Sequence, residues 1–220
     1  MSVKENLQEV IEKIPEYVRL VAVSKTKPNE MIKEVYDAGQ RVFGENKAQE
    51  LIVKYPALPK DIKWHFIGHL QTNKIKFIAP YVFMIEAVDS LKLLKEINKQ
   101  AQKNERTIDC LLQFHIAVEE VKFGFSKEEA IEMLESESFQ SLKNIRIAGV
   151  MGMATFTSNM EQVRNEFRTL KNIFDFFKKK YFDDNFKEIS MGMSGDYKIA
   201  IEEGSTNVRI GTAIFGGRNL

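Results

Sequence analysis

Lys25 closes the apolar run Leu20-Val21-Ala22-Val23-Ser24-Lys25. Far downstream lie two turns rich in Gly, Ser and Thr: Ser190-Met191-Gly192-Met193-Ser194-Gly195-Asp196 and Val208-Arg209-Ile210-Gly211-Thr212. A lysine supplies an amine that can condense with an aldehyde. Gly192, Gly195 and Gly211 allow close approach of backbone to a ligand, and the hydroxyls of Ser194 and Thr212 add donors. A helix beginning near Asp196 would present unpaired N–H groups, so the two turns have the makings of a phosphate cradle. Amine and cradle together point to an aldehyde phosphate held covalently.

Alternation along the first run places Val21, Val23 and Lys25 on one side and Leu20, Ala22 and Ser24 on the other. An ammonium above apolar side chains is disfavoured in its charged form, so the pKa of Lys25 is expected to fall. The alternative is a lysine that snorkels to solvent. Lys27 shares the alternation, but it falls past the strand end, just before Pro28. Arg209 has the opposite parity to Val208 and Ile210, which points it into the site. A guanidinium keeps its proton, so it can donate to a ring nitrogen without protonating it. That chemistry suits pyridoxal phosphate, whose pyridine would then be a poorer electron sink. Binding of a carboxylate or phosphate is the other use of such an arginine.

Eight apolar β-type runs could position these groups: Val18–Val23, Arg41–Phe43, Trp64–Ile67, Val82–Val88, Ile108–Phe114, Ile145–Val150, Glu188–Ser190 and Asn207–Ile210. Segments of helical spacing alternate with them, among them Asn29–Ala38, Ser90–Lys103, Lys127–Leu134 and Met160–Lys180. The order predicts an α/β fold, a single TIM-type (β/α)8 barrel, with a doubly wound open sheet as the alternative. In such barrels phosphate often binds after the seventh and eighth strands, where both turns fall. Pro28, Asp89 or Ser90, and Ser126 read as helix starts. Val3–Ile14 reads as an extra N-terminal helix with Leu7, Val10, Ile11 and Ile14 on its apolar face. Phe167, Leu170, Phe174 and Phe177 share a face that packs into the core. No linker divides the 220 residues, so one domain over 1–220 is expected.

Thirty-two Lys and Arg against 31 Asp and Glu give a net charge of +1, which offers no general field for nucleic acid or anionic lipid. No stretch has signal-peptide character or the roughly 20 apolar residues of a membrane span, so a cytoplasmic location is expected. The one cysteine, Cys110, cannot form an internal disulfide and reads as a core residue rather than a reactive thiol. His65, His69 and His115 lack metal-ligand spacing, and no metal is expected.

The motifs Ala22-Val23-Ser24-Lys25-Thr26-Lys27-Pro28, Phe43-Gly44-Glu45-Asn46, His65-Phe66-Ile67-Gly68-His69-Leu70-Gln71-Thr72-Asn73-Lys74 and Gly149-Val150-Met151-Gly152-Met153-Ala154, with the two C-terminal turns, carry a resemblance. The chain resembles the pyridoxal phosphate homeostasis protein family, lone-barrel relatives of the alanine racemase N-terminal domain. The resemblance implies a cofactor-binding protein that buffers or delivers pyridoxal 5'-phosphate, held as a Schiff base on Lys25, with no established catalytic reaction. It further implies that Arg209 meets the pyridine nitrogen, that Ser194, Gly211 and Thr212 hold the phosphate, and that Asn46 and His65 lie near the cofactor. His115 and Val121 stand where the family pattern has Asn and Ser, so the resemblance assigns them no role. The expected partners are the cofactor and pyridoxal phosphate-dependent apoenzymes, with no nucleic acid or membrane, and the expected state is a monomer or weak dimer. The alternative is a pyridoxal phosphate-dependent racemase. It would need a second acid/base from a C-terminal β domain, for which these 220 residues leave no room. A cofactor-free aldolase on a phosphorylated sugar is a third reading.

Overall fold

Eight parallel strands close on themselves in chain order in the computed structural model, which describes residues 2–118 and 123–217. They are β1 (Arg19–Val23), β2 (Val42–Glu45), β3 (Lys63–Phe66), β4 (Met84–Val88), β5 (Ile108–Gln113), β6 (Ile145–Met151), β7 (Glu188–Met193) and β8 (Asn207–Ile210). The barrel is sealed by β1 against β8, with Arg19 opposite Asn207 and Val21 opposite Arg209. The expected closed barrel is thus the observed one, and the open sheet is set aside.

Around it run α1 (Val3–Glu12), α2 (Asn29–Asp37), α3 (Ala48–Ala57), α4 (Ile75–Ile78), α5 (Leu91–Lys103), α6 (Lys127–Glu135), α7 (Glu137–Gln140), α8 (Met160–Lys180), α9 (Tyr197–Glu202) and α10 (Thr212–Phe215). Ser2 with Glu5 and Ser126 with Glu129 form capping boxes, while Ser90 caps α5 through the Leu93 N–H. Phe167, Leu170, Phe174 and Phe177 of α8 are buried in the core as expected. On α1 the apolar stripe is narrower than its spacing predicts. Leu7 and Val10 are buried and Ile14, just past the helix end, packs against the core, but Ile11 is 41% exposed.

Alternation sorts each strand between two environments. Leu20, Ala22, Phe43, Trp64, Phe66, Val208 and Ile210 belong to the large cluster under the helices. A small separate cluster of Met84, Ala87, Leu111, Ala148 and Met151 occupies the barrel interior. Val21 and Val23 of β1 are buried outside both clusters, and polar groups share the interior with them. At the N-terminal end of the strands Arg19 donates to Glu188 (2.9 Å) and to Asn207 (3.3 Å), while Asn207 donates to Glu188 (2.8 Å). Beside them Arg146 and Asp109 form a bidentate pair at 2.7 and 2.6 Å. Cys110 is wholly buried, and burial followed by the nearby Asp109 pushes its thiol pKa up, so a reactive role is excluded by environment.

Candidate functional site

Lys25 sits two residues past the end of β1, half-buried, in the loop leading to α2. Its neighbours are fixed individually. The Ser24 N–H donates to the Gly44 carbonyl, and its hydroxyl to Glu45 at 2.5 Å. Thr26, in the left-handed region at φ 63°, gives its N–H to Glu50 at 2.6 Å. Lys27 turns its ammonium to the carbonyls of Phe215, Gly216 and Gly217 at 3.1, 3.0 and 2.8 Å. It therefore caps the C-terminus of α10, a use that answers its rivalry with Lys25.

Beneath this loop, α3 contributes Lys54, a residue with no part in the expected site. Its ammonium is buried and donates to the Ser24 carbonyl (2.9 Å), Glu45 (2.8 Å) and Glu50 (3.1 Å). Two carboxylates share one cation. Burial pushes the Glu45 carboxyl above its usual range despite Lys54 and Ser24. Burial also opposes ionisation of Glu50, but the Thr26 N–H and Lys54 outweigh it and hold that group low.

The phosphate turns flank the same end of the barrel. A Cβ on Gly211 would lie 3.1 Å from the Val23 carbonyl oxygen, so β1 and the start of α10 are in close contact just below Lys25. Thr212 is exposed in the first turn of α10. Ser194 and Gly195 form the β7–α9 turn and line, with Ala213, a cleft of about 490 Å³ that is closed by Val10 of α1 and by Lys13 just after it. Gly192 behaves differently from expectation. β7 runs on through Met193, so Gly192 is a strand residue, at φ 93°, and a Cβ there would strike Ala200 Cβ at 2.6 Å. It serves strand–helix packing rather than ligand approach.

Arg209 points into the interior as its parity requires and is 4% exposed. It donates to Ser190 Oγ at 2.6 Å and to the Gly152 carbonyl at 3.0 Å. Ser190 in turn donates to Glu86 Oε2 at 2.5 Å, and Glu86 Oε1 lies 2.5 Å from Nδ1 of His65. Ser190, Glu86 and His65 are completely buried. Burial raises the Glu86 carboxyl, but His65 by hydrogen bond and charge, then Arg209 and Ser190, outweigh it and hold the group below its usual range. Glu86 was not expected in the site. The signal was a carboxylate alone in the apolar strand Met84-Ile85-Glu86-Ala87-Val88, which demands a buried partner.

His65 and Arg209 are therefore joined in one network, while Lys25, Gly211 and Thr212 share one corner of the mouth. Asn46 directly follows β2, whose Gly44 pairs with Val23 beside the Lys25 loop. It lines a cavity of about 530 Å³ with His69, Gln71 and Lys74, between the ends of β2 and β3. A Cβ on Gly68 would meet the Asn46 carbonyl at 2.4 Å, so the two early motifs are packed backbone to backbone. Asn46 Oδ1 and His65 Nε2 are buried without a protein partner. His115 is half-buried and bonded through its backbone to Phe125; Val121 lies outside the described residues. Among the described residues no cluster of His, Cys, Asp and Glu could hold a metal, and no helix is long and apolar enough to cross a membrane.

The model of the alanine racemase N-terminal domain matches residues 1–219. A pyridoxal phosphate homeostasis protein of Aquifex aeolicus is 42% identical over 201 residues, covering 91% of this chain and 87% of the relative. The one from Homo sapiens is 39% identical over 234 residues, covering 99% and 85%. Among solved structures, PipY of Synechococcus elongatus with pyridoxal phosphate bound superposes with a TM-score of 0.87. It is 31% identical, with 97% of this chain and 100% of that one covered. An alanine racemase from Bacillus anthracis gives a TM-score of 0.78 at 15% identity, covering all of this chain and 56% of its own, a likeness of fold alone.

Proposed function

The chain belongs to the pyridoxal phosphate homeostasis protein family, and we propose that it binds pyridoxal 5'-phosphate at the C-terminal mouth of its barrel, on Lys25, as an intracellular holder and donor of that cofactor. The observation that carries this reading is the buried Arg209, a permanent cation inside the barrel on the strand next to the one that leads to Lys25. The residues suit the group. A half-buried amine lies beside a turn whose exposed Thr212 hydroxyl and first-turn N–H groups can take a phosphate. The polar atoms Asn46 Oδ1 and His65 Nε2, which lack protein partners, suit a polar ligand.

Bound there, the cofactor supplies an aldehyde that condenses with an amine, with loss of water. Lys25 is the amine, held in place by the bonds on Ser24, Thr26 and Lys27. Ser194, Gly211 and Thr212 hold the phosphate. Arg209 donates to the ring nitrogen and cannot give up its proton, so the ring stays a weak electron sink. Such a site favours holding the cofactor over working on its adducts. Delivery to dependent apoenzymes in the cytoplasm, by a monomer or weak dimer, completes the proposal.

Wild-type protein mixed with pyridoxal phosphate should turn yellow, and borohydride followed by peptide mapping should place the pyridoxyl group on Lys25. Lys25→Ala should give no trapped adduct. A wild type that takes up no cofactor, or that is trapped chiefly on another lysine, would refute the assignment.

A further inference from the structure

We infer that Glu86 is a positioning residue of the cofactor site, acting on the ring nitrogen of the bound cofactor through Ser190 and Arg209. This rests on the reading that pyridoxal phosphate meets Arg209. β4 and β8 stand opposite one another in the closed order and share no hydrogen-bonded edge. The carboxylate of Glu86 spans the interior between them. One oxygen faces His65 on the adjacent β3, and the other takes the hydroxyl of Ser190 on β7, next to Arg209.

The direction of this chain of bonds is fixed. A serine hydroxyl has one hydrogen, and at 2.5 Å Ser190 gives it to the carboxylate, which can only accept. The lone pairs of Ser190 must then face Arg209, whose Nη1 lies 2.6 Å away. Glu86 thereby sets which edge of the guanidinium is occupied and which remains for a ligand. It also balances the charge, with Nη1 3.9 Å from Glu86 Oε2. The other carboxylate that Arg209 feels is Asp196, on the phosphate side of the mouth. Without the charge on Glu86, the arginine would be drawn toward Asp196 and away from the ring nitrogen.

A plug for the barrel would not need these groups, because barrel interiors are commonly filled by branched apolar side chains. Burying a carboxylate is costly unless its partners are arranged around it. The neighbouring interior positions are filled in the ordinary way by Met84, Leu111, Ala148 and Met151.

The test compares two ligands in two variants: pyridoxal phosphate and its 1-deaza analogue, which has a CH group in place of the ring nitrogen. Glu86→Gln keeps the shape and removes the charge; Ser190→Ala removes the relay. Each variant should bind pyridoxal phosphate about tenfold more weakly, the loss of a charged hydrogen bond, and the deaza analogue with a change below about twofold. Circular dichroism and thermal melting confirm that the variants fold, and Ser190→Ala carries the test if Glu86→Gln does not. Equal weakening for both ligands, or none for either, in folded variants would mean that Glu86 is structural and would overturn this inference alone. A wild type that binds neither ligand would overturn the proposed function and this inference with it.

Discussion

Glu86 and Glu45 are both buried carboxylates beside a cation, yet their proton affinities move in opposite directions. Glu86 has both oxygens engaged, by His65 and Ser190, whereas Glu45 Oε2 has no partner and its one ammonium is shared with Glu50. The consequences for stability have opposite signs. Glu86 is held below the usual 4.5, so its contribution is full above that pH and is lost as the pH falls through its lowered value. Glu45 is raised, so the folded form binds its proton more tightly and loses stability as the pH climbs from 4.5 through the raised value. Glu86→Gln should therefore lower stability by about 3 kcal/mol at pH 7, the scale for breaking a buried pair. Its deficit against wild type should shrink as the pH drops below 4.5, where the unfolded wild-type chain begins to protonate Glu86 while the folded form keeps it ionised to lower pH. Urea midpoints from pH 7 to pH 3 measure this, and a deficit independent of pH would contradict it. At this scale the inward, buried position of Arg209 was legible because parity suffices to mark it. Glu86 was not, since 104 residues separate it from Ser190 and only closure of the barrel brings them together.

The β1–α2 loop is a short element whose geometry is imposed from outside. Its bonds go to Gly44 and Glu45 on β2, to Glu50 and Lys54 on α3, and to the end of α10. α3 was hard to read from sequence because it carries Pro56, has few buried positions and buries a lysine among them. The eight strands were readable as apolar runs because both of their faces are covered, which masks alternation but keeps them hydrophobic. β7 runs three residues beyond its expected end, because a glycine at φ 93° resembles a turn residue in sequence and only its tight contact with Ala200 keeps it in the strand. Lys54→Met tests the imposed geometry. Removing the ammonium leaves Glu45 and Glu50 facing each other without a cation, which should cost about 3 kcal/mol in a denaturant titration. It should also slow borohydride-trapped labelling of Lys25 by pyridoxal phosphate, although Lys54 is bonded to Ser24 and the two carboxylates rather than to the cofactor groups. Unchanged labelling at full occupancy would show that the loop holds its shape without the cluster.

Sealing β1 against β8 ties the first strand to the last, so no contiguous part of the chain can form the barrel alone. Every strand has two hydrogen-bonded neighbours, and the interior polar network draws one residue each from β3, β4, β7 and β8. Loss of any one strand exposes two edges, and loss of β3, β4, β7 or β8 also leaves buried charges without partners, a penalty that falls on the whole structure at once. Unfolding of the barrel as one unit is the expected result. Trp64, the sole tryptophan, is fully buried on the outer face of β3, where it packs against Phe43 with ring centroids 5.9 Å apart. Its fluorescence reports the strand–helix interface in the first half of the chain. Far-UV circular dichroism reports helices throughout, including the 21-residue α8 in the second half. The two signals should give superimposable urea transitions, the signature of a two-state barrel. Midpoints that separate would instead mean that the half bearing Lys25 and the half bearing Arg209 can come apart, and the cofactor site would then depend on the docking of two pieces.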